Sequence, residues 1–358
     1  MTVYFLAPED NHPWGGIRRI YTFVDILNEG NIPAAVLRGS PDFRCTWFEN
    51  ETAILSAEGL ILDAQRDLLV IPEVYGPRVV SLAPGIRRIM LTQNPYEFFM
   101  KFSERANTSF WRKLQTIDKA VVVSDDSAGL MAQVLPKVPV QRLLLGIDQS
   151  LYHPEVKLPR TIAFMPRKLH PDSRVVMGIL HARGLLDGWK VIEIDAVSEQ
   201  EAAAALRRAT IFISFSHLEG FGLPAAEAMA CGCIVIGFDG RGGREYLRSG
   251  FGFPVNDGDV IGMAHAVEEV LRQYEADPTP LVSVATAASQ YIAATYSIER
   301  QRQSVIEVFS DTLDNRDVPP ALVKLTNRAV RFEQPLSRRA RAIRLLSQFR
   351  RSASKAYR

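Results

Sequence analysis

The sequence predicts an α/β protein built of two doubly wound parallel sheets that face a central cleft. Three observations carry this. Short β-branched apolar runs alternate with amphipathic helical stretches, the signature of βαβ units. The alternation breaks at the Pro-punctuated segment from His153 to Pro159 and then restarts. The length of 358 residues matches about two domains at roughly 150 residues each.

In the first half, Val3 to Leu6 reads as a strand, Ile17 to Asn28 as an amphipathic helix ending near Gly30, and Ala34 to Leu37 as a second strand. Asp67–Ile71, Arg88–Leu91 and Lys119–Val123 follow as strands. These later runs are apolar throughout rather than alternating, as strands covered on both faces must be. In the second half, Thr161–Met165, Lys190–Ile194, Ile211–Phe215 and Ile234–Ile236 read as strands. Helices are expected over Val175–Arg183, Glu199–Arg208 and Pro224–Ala230. The expected division is a Rossmann-like domain over 1–155, a second over 156–315 and a tail over 316–358.

Composition narrows the class. With 47% hydrophobic and 23% charged residues, a disordered, collagenous or coiled-coil chain is excluded. Cys45, Cys231 and Cys233 are too few for a disulfide framework and lack the clustering of a zinc site, which points to a reducing compartment. The run Val3 to Ala7 has no basic segment before it and Pro8-Glu9-Asp10 directly after it, unlike a signal peptide. No stretch approaches the ~18 apolar residues of a membrane span, so a cytoplasmic protein is expected.

The net charge of +2 conceals a split. From Lys324 to Arg358 eleven Lys or Arg stand against one acid, Glu333, a net of +10, so the remainder carries −8. An acidic body with a basic tail implies an anionic surface as partner.

The most informative segment runs from Ser216 to Gly232 and includes Glu219-Gly220-Phe221-Gly222-Leu223-Pro224 and Glu227. It follows an apolar strand and opens a helix with Pro224 in the first turn, a position that suits proline. Gly220 and Gly222 let a ligand approach the backbone, and the free amides and dipole of a helix N-terminus attract an anion. A diphosphate fits such a strand-to-helix turn. Two carboxylates beside an anion site make sense if they accept hydroxyl hydrogen bonds, Glu219 from a hexose and Glu227 from a ribose. The plainer alternative is a glycine turn with one helix-favouring glutamate.

This segment resembles the EGFGLP…E (E-x7-E) signature of family 4 retaining glycosyltransferases, which have the GT-B fold. Further stretches match in order: Trp14-Gly15-Gly16-Ile17-Arg18-Arg19, Val121–Ser124, Leu145-Gly146-Ile147-Asp148 with His153-Pro154, Phe238 to Glu245, and Tyr296-Ser297 with Glu299. The resemblance covers about residues 1–312. It implies a closing helix over about 297–315 that crosses back to the N-terminal domain. It implies transfer of a hexose from a nucleotide diphosphate sugar, with retention, to a hydroxyl of a glycan or lipid-linked acceptor, as in cell-surface polysaccharide synthesis. It also implies catalysis without a metal or cofactor, the leaving diphosphate being neutralised by cations and dipoles.

For those cations the resemblance points to Arg167 and Lys168, with Arg174 an alternative to Lys168. With Glu219 these are the expected catalytic residues. Gly15, Gly16, Val197, Gly220, Phe221, Gly222, Leu223 and Glu227 are expected to bind the donor. Where family members carry an N-terminal-domain histidine, this chain reads Thr92-Gln93-Asn94-Pro95. Gln93 and Asn94 can hydrogen-bond but cannot titrate. His12, Glu73, Gln93 and Asn94 are therefore acceptor-side candidates, and His217 is as readily a packing residue as a ligand. Asp257-Gly258-Asp259 imitates a metal motif but reads better as a turn. Cys231 and Cys233 read as small core residues. Two alternatives stand beside transfer to a glycan: a non-catalytic sugar-nucleotide-binding subunit, and a synthase with a soluble sugar acceptor.

In the tail, Leu336, Ala340, Ile343, Leu346 and Phe349 fall at helical spacing among Arg338, Arg339, Arg341, Arg344 and Arg351. Such a basic amphipathic helix suits peripheral binding to an anionic membrane; a disordered tail or one docked on the acidic body are the alternatives. No aromatic platform accompanies the arginines, so nucleic acid is not expected. Nothing in the pattern sets an oligomeric state.

Overall fold

A computed structural model describes residues 2–12, 14–40, 42–102, 107–167, 169–313 and 319–332, without the side chains of 311–313. The first half contains β1 (Thr2–Leu6), α1 (Gly15–Glu29), β2 (Ala34–Arg38), β3 (Ile54–Ser56), β4 (Ile61–Asp63) and β5 (Asp67–Pro72). It continues with α2 (Arg78–Ser81), β6 (Arg87–Thr92), α3 (Pro95–Phe102), α4 (Thr108–Leu114), β7 (Lys119–Val122), α5 (Asp125–Val134) and β8 (Val140–Arg142). The second half contains β9 (Thr161–Phe164), α6 (His170–Ala182), β10 (Lys190–Glu193), α7 (Glu199–Arg208), β11 (Ile211–Glu219), α8 (Leu223–Ala230) and β12 (Ile234–Arg241). Then come β13 (Phe253–Val255), α9 (Val260–Ala276), α10 (Thr279–Thr295), α11 (Ile298–Leu313), β14 (Leu322–Lys324) and α12 (Asn327–Val330).

Two parallel sheets result, a seven-stranded one in the order β3-β2-β1-β5-β6-β7-β8 and a five-stranded one in the order β10-β9-β11-β12-β13. Both have the doubly wound form expected from the sequence. Of the runs that read as two-sided strands, β5 and β6 are buried at every position and β7 at every position but Lys119. The strand order reverses between β1 and β5 in one sheet and between β9 and β11 in the other. In such sheets ligands bind beyond the carboxyl ends of the strands at these reversals. That selects the segments after β1, β5, β9 and β11 before any side chain is considered.

The helix expected from Val175 begins earlier, at His170, because Pro171 occupies its first turn and the apolar stripe starts only later. Gly15 and Gly16, ahead of the helix expected from Ile17, form the first turn of α1. Asp259 caps α9 by accepting from the Gly262 amide at 2.8 Å, the turn role anticipated for it. Cys231 and Cys233 are buried.

Helix α11 returns to the first sheet, where Phe309 meets Phe5 at 5.2 Å. The Leu144 amide donates to Ser304 Oγ at 3.0 Å and the Ile147 amide to the Tyr296 carbonyl at 2.7 Å. One apolar cluster accordingly runs from beneath the first sheet to beneath the second. Residues 319–332, read from the sequence as part of the tail, pack on the first half: β14 pairs antiparallel with β4, and Leu325 and Val330 are buried. The amphipathic stretch from Leu336 lies outside the described residues.

Candidate active site

Strand β11 is buried through Ser216 and then loses register with β12 before Glu219 pairs opposite Arg241. The irregularity turns Leu218 to a φ of 47°. Glu219 therefore stands on a strand end rather than in a loop, with Gly240 packed on it: a Cβ at Gly240 would lie 3.0 Å from Glu219 Cγ. Gly222 caps α8 with φ 87° and ψ 53°, a left-handed conformation glycine adopts without strain. A Cβ there would sit 2.8 Å from the Tyr246 hydroxyl. That buried hydroxyl lies 2.8 and 2.5 Å from the Phe221 and Gly222 carbonyl oxygens and donates to the pair. Carbonyl and amide point oppositely across a trans peptide, so the amides of Gly222 and Leu223 face away from Tyr246. Among the described residues no side chain caps α8. Its first turn is thus built to receive an outside acceptor.

The first half supplies the facing wall. A Cβ on Gly15 would lie 3.8 Å from Leu223 Cδ1, and one on Gly16 would lie 3.2 Å from Gln93 Nε2. The Gln93 side chain donates to the Gly16 carbonyl at 3.0 Å, and the Asn94 side chain to the Leu218 carbonyl at 2.9 Å. Gly220 lies directly on this turn, and a Cβ there would come within 1.7 Å of the Gln93 carbonyl oxygen. Gln93 and Asn94 thus join the start of α1 to the glycine turn before α8.

Glu73 lies beneath that junction, 3% exposed, accepting from the Asn94 amide at 2.8 Å through Oε1. Burial pushes its carboxyl up to about 7 against the pull of the Asn94 and Gln93 backbone hydrogen bonds. Its Oε2 is buried with no hydrogen-bond partner. His12 is exposed at the mouth, its Nδ1 held 2.6 Å from Asp10 Oδ1.

Glu227 is half-buried on α8. Burial pushes its carboxyl up to about 7; the Arg19 guanidinium opposes this most strongly, with lesser pull from Arg18 and the nearby Tyr152 hydroxyl. Arg18 pairs with Glu199 at the start of α7, and Arg19 donates to Gln301 at 3.2 Å. The acid expected to meet a ribose therefore sits where α1, α7, α8 and the connecting segment converge. Val197 is 48% exposed just ahead of α7, whose Ser198–Glu201 capping box fixes the turn. Arg167 is exposed in the segment after β9, Arg174 is exposed on α6, and Lys168 lies outside the described residues. His217 is exposed.

Several contributors were not singled out from the sequence. Arg18 and Arg19 were visible beside Gly15-Gly16, whereas Tyr152 carried no signal. Lys157 Nζ donates to the carbonyls of Leu206, Arg207 and Cys231 at 3.2, 2.9 and 2.7 Å, tying the ends of α7 and α8 together. Glu245 accepts from Tyr296 at 2.7 Å and from the Asp125 amide at 3.1 Å and pairs with Arg142, linking the two halves on the far side of the turn.

Residues 180–281 match the family described as Glycosyl transferases group 1. The chain is 25% identical over 281 residues to the lipopolysaccharide core biosynthesis mannosyltransferase LpcC of Rhizobium leguminosarum bv. viciae, covering 66% of this chain and 77% of that protein. It is 47% identical over 221 residues to an alpha-1,6-glucosyltransferase of Actinobacillus pleuropneumoniae serotype 7, covering 59% of this chain and 65% of that one. Among solved structures, sucrose-phosphate synthase of Thermosynechococcus elongatus superposes with a TM-score of 0.63 at 12% identity, over 87% of this chain and 98% of its own. Anabaena Alr3699/HepE, solved with UDP-glucose, gives 0.59 at 14% identity over 87% and 100%. The fold is GT-B.

Proposed function

We propose that this glycosyltransferase, an enzyme with a group 1 domain and curated glycosyltransferase relatives, is a family 4 retaining enzyme that moves a hexose from a nucleotide diphosphate sugar to a hydroxyl of a glycan or lipid-linked acceptor. The carrying observation is the α8 N-terminus, uncapped by any described side chain and faced by Gly15 and Gly16 from the other half. The donor diphosphate rests there on the α8 amides, where oriented dipoles stabilise the charge that grows as the bond to the anomeric carbon breaks. Arg167 and Lys168 add cationic charge to the leaving group, and the reading needs no metal. Glu219 holds hexose hydroxyls, and Glu227 holds the ribose. The base stacks near Val197.

Retention follows from attack on the face the diphosphate leaves. The acceptor oxygen forms its bond to the anomeric carbon while the bond to phosphate breaks, and its proton passes to the departing phosphate oxygen. His12 and Gln93 orient the acceptor, while Glu73 acts through Asn94. The mannosyl- and glucosyltransferase relatives support a hexose as the group moved. Placement at the inner face of a membrane, aided by the basic tail, completes the proposal; among the described residues no helix is long and apolar enough to cross one. A thermal-shift screen of UDP-, GDP-, dTDP- and ADP-sugars tests it. One class is to raise the melting temperature, by an amount that grows with the logarithm of its affinity, and a flat response to all four refutes donor binding.

A further inference from the structure

Of the four tryptophans Trp14 is the most exposed, 50% open to solvent. Trp47, Trp111 and Trp189 pack on the rings of Phe48, Phe99 and Tyr274, with centroids 4.6, 6.1 and 5.3 Å apart. Tryptophan is highly buried on average, and the place of this one is telling. Trp14 ends the connection from β1 to α1, beyond the carboxyl end of β1 where the strand order reverses. The next residue, Gly15, faces Leu223 of α8 across the cleft. His12, two positions back, is exposed at the mouth.

The connection is fastened along its length. Arg38, wholly buried against the rings of Tyr21 and Phe43 at 5.2 and 5.0 Å, donates to the carbonyls of Ala7 and Pro8 at 2.8 Å each. The Tyr75 hydroxyl donates to the same Ala7 carbonyl at 3.0 Å. Glu9 accepts from the amides of Gly39 and Ser40 at 2.6 and 2.9 Å, and Asn11 from the Thr46 amide at 3.0 Å. Burial pushes the Asp10 carboxyl up, but His12, with a further pull from nearby Trp14, holds it below the usual carboxylate range. The Trp14 amide in turn donates to the His12 carbonyl at 2.7 Å. An exposed indole on a loop tied this closely is a fixed surface, and a ligand meeting it has little ordering left to impose.

We propose that Trp14 is the platform on which a pyranose ring of the acceptor stacks, so that the acceptor is a glycan presenting a neutral sugar at the reacting hydroxyl. The indole face is negative, and the C–H groups on one face of a pyranose carry slight positive charge, while His12 can hydrogen-bond hydroxyls at the ring's edge. From Ala7 to Trp14 the chain carries Glu9 and Asp10 and no Lys or Arg, so a phosphate or carboxylate finds no cation on this stretch. The inference rests on the sugar-transfer reading and narrows its acceptor.

Saturation-transfer NMR on the full chain without donor tests it. The probes are methyl α-mannopyranoside, methyl α-glucopyranoside and maltose, with glycerol as a hydroxyl carrier lacking a ring and glycerol 3-phosphate as an anion. At least one glycoside is expected to take saturation on its ring C–H protons. Trp14→Ala is expected to weaken that glycoside about tenfold, and Trp14→Phe, which keeps an aromatic face, to restore most of the affinity. The melting temperature stays at the wild-type value in both variants, the ring being half in solvent, which separates loss of the platform from loss of the fold. Wild-type glycoside affinity in Trp14→Ala overturns the proposal, as does binding of glycerol 3-phosphate in place of the glycosides, or of no glycoside at all. Because no nucleotide sugar takes part, failure here is distinct from failure of donor binding in the thermal-shift screen.

Discussion

Replacing Gly220 with alanine probes the junction between the halves with a single methyl group. Its Cβ would stand 1.7 Å from the Gln93 carbonyl oxygen, 2.7 Å from that carbon and 3.2 Å from Asn94 Cα. Restoring an ordinary C···O contact of about 3.3 Å requires the turn at Gln93 and the glycine loop to part by roughly 1.5 Å. The obstacle is backbone, so no rotamer change relieves it. Separation breaks the Gln93–Gly16 and Asn94–Leu218 hydrogen bonds, each worth about 0.5–1.5 kcal/mol. It also misplaces the α8 amides relative to Gly15 and Gly16. A displacement of about 1 Å at a reacting centre can cost roughly 10²-fold. The variant is therefore expected to lose about 10²-fold in kcat/KM for sugar transfer. The clash lies between halves whose own cores it does not enter, so melting should fall by only a few degrees. Transfer assayed by nucleoside diphosphate release, beside a thermal melt, measures both. Turnover within about twofold of wild type would refute the proposed closure of the site.

Other expectations follow from the same geometry. Glu227→Ala should weaken nucleotide binding strongly in calorimetry, and unchanged affinity would remove the ribose contact. Arg167→Ala should slow transfer by about 10²–10³-fold through loss of charge on the leaving diphosphate, and wild-type turnover would exclude that role. Glu73 has a carboxyl raised from 4.5 to about 7, so the folded state holds its proton more tightly than the unfolded one. Stability is then lost as pH rises from about 4.5 to about 7 and stays lost above that, up to about 3 kcal/mol in all. Glu73→Gln, which keeps an oxygen for the Asn94 amide, should reduce this slope in denaturant titrations across that window, leaving the share that Glu227 contributes; an unchanged slope would clear Glu73 of responsibility.

The sheets were legible because buried parallel strands leave uninterrupted apolar runs, as in Leu68–Ile71 and Ile211–Phe215. The glycine turn was legible because close backbone approach admits few residues other than glycine. Short, partly exposed strands such as Ile54–Ser56 and Leu322–Lys324 left no comparable trace. The surroundings of Glu227 were illegible for another reason: Arg19, Tyr152, Glu199 and Gln301 meet only once the two halves pack together. Glu73 was readable as a residue at the cleft edge. That its oxygen would be taken by the Asn94 amide, 21 positions away, depends on the β5–β6 pairing and the turn that follows it.

A crystal of the enzyme soaked with its nucleotide sugar puts the whole account at risk in one map. Diphosphate oxygens should lie about 3 Å from the amide nitrogens at the start of α8, with Gly15 and Gly16 across from them and a ribose at Glu227. Diphosphate bound elsewhere, or that first turn still empty at saturating donor, would contradict it.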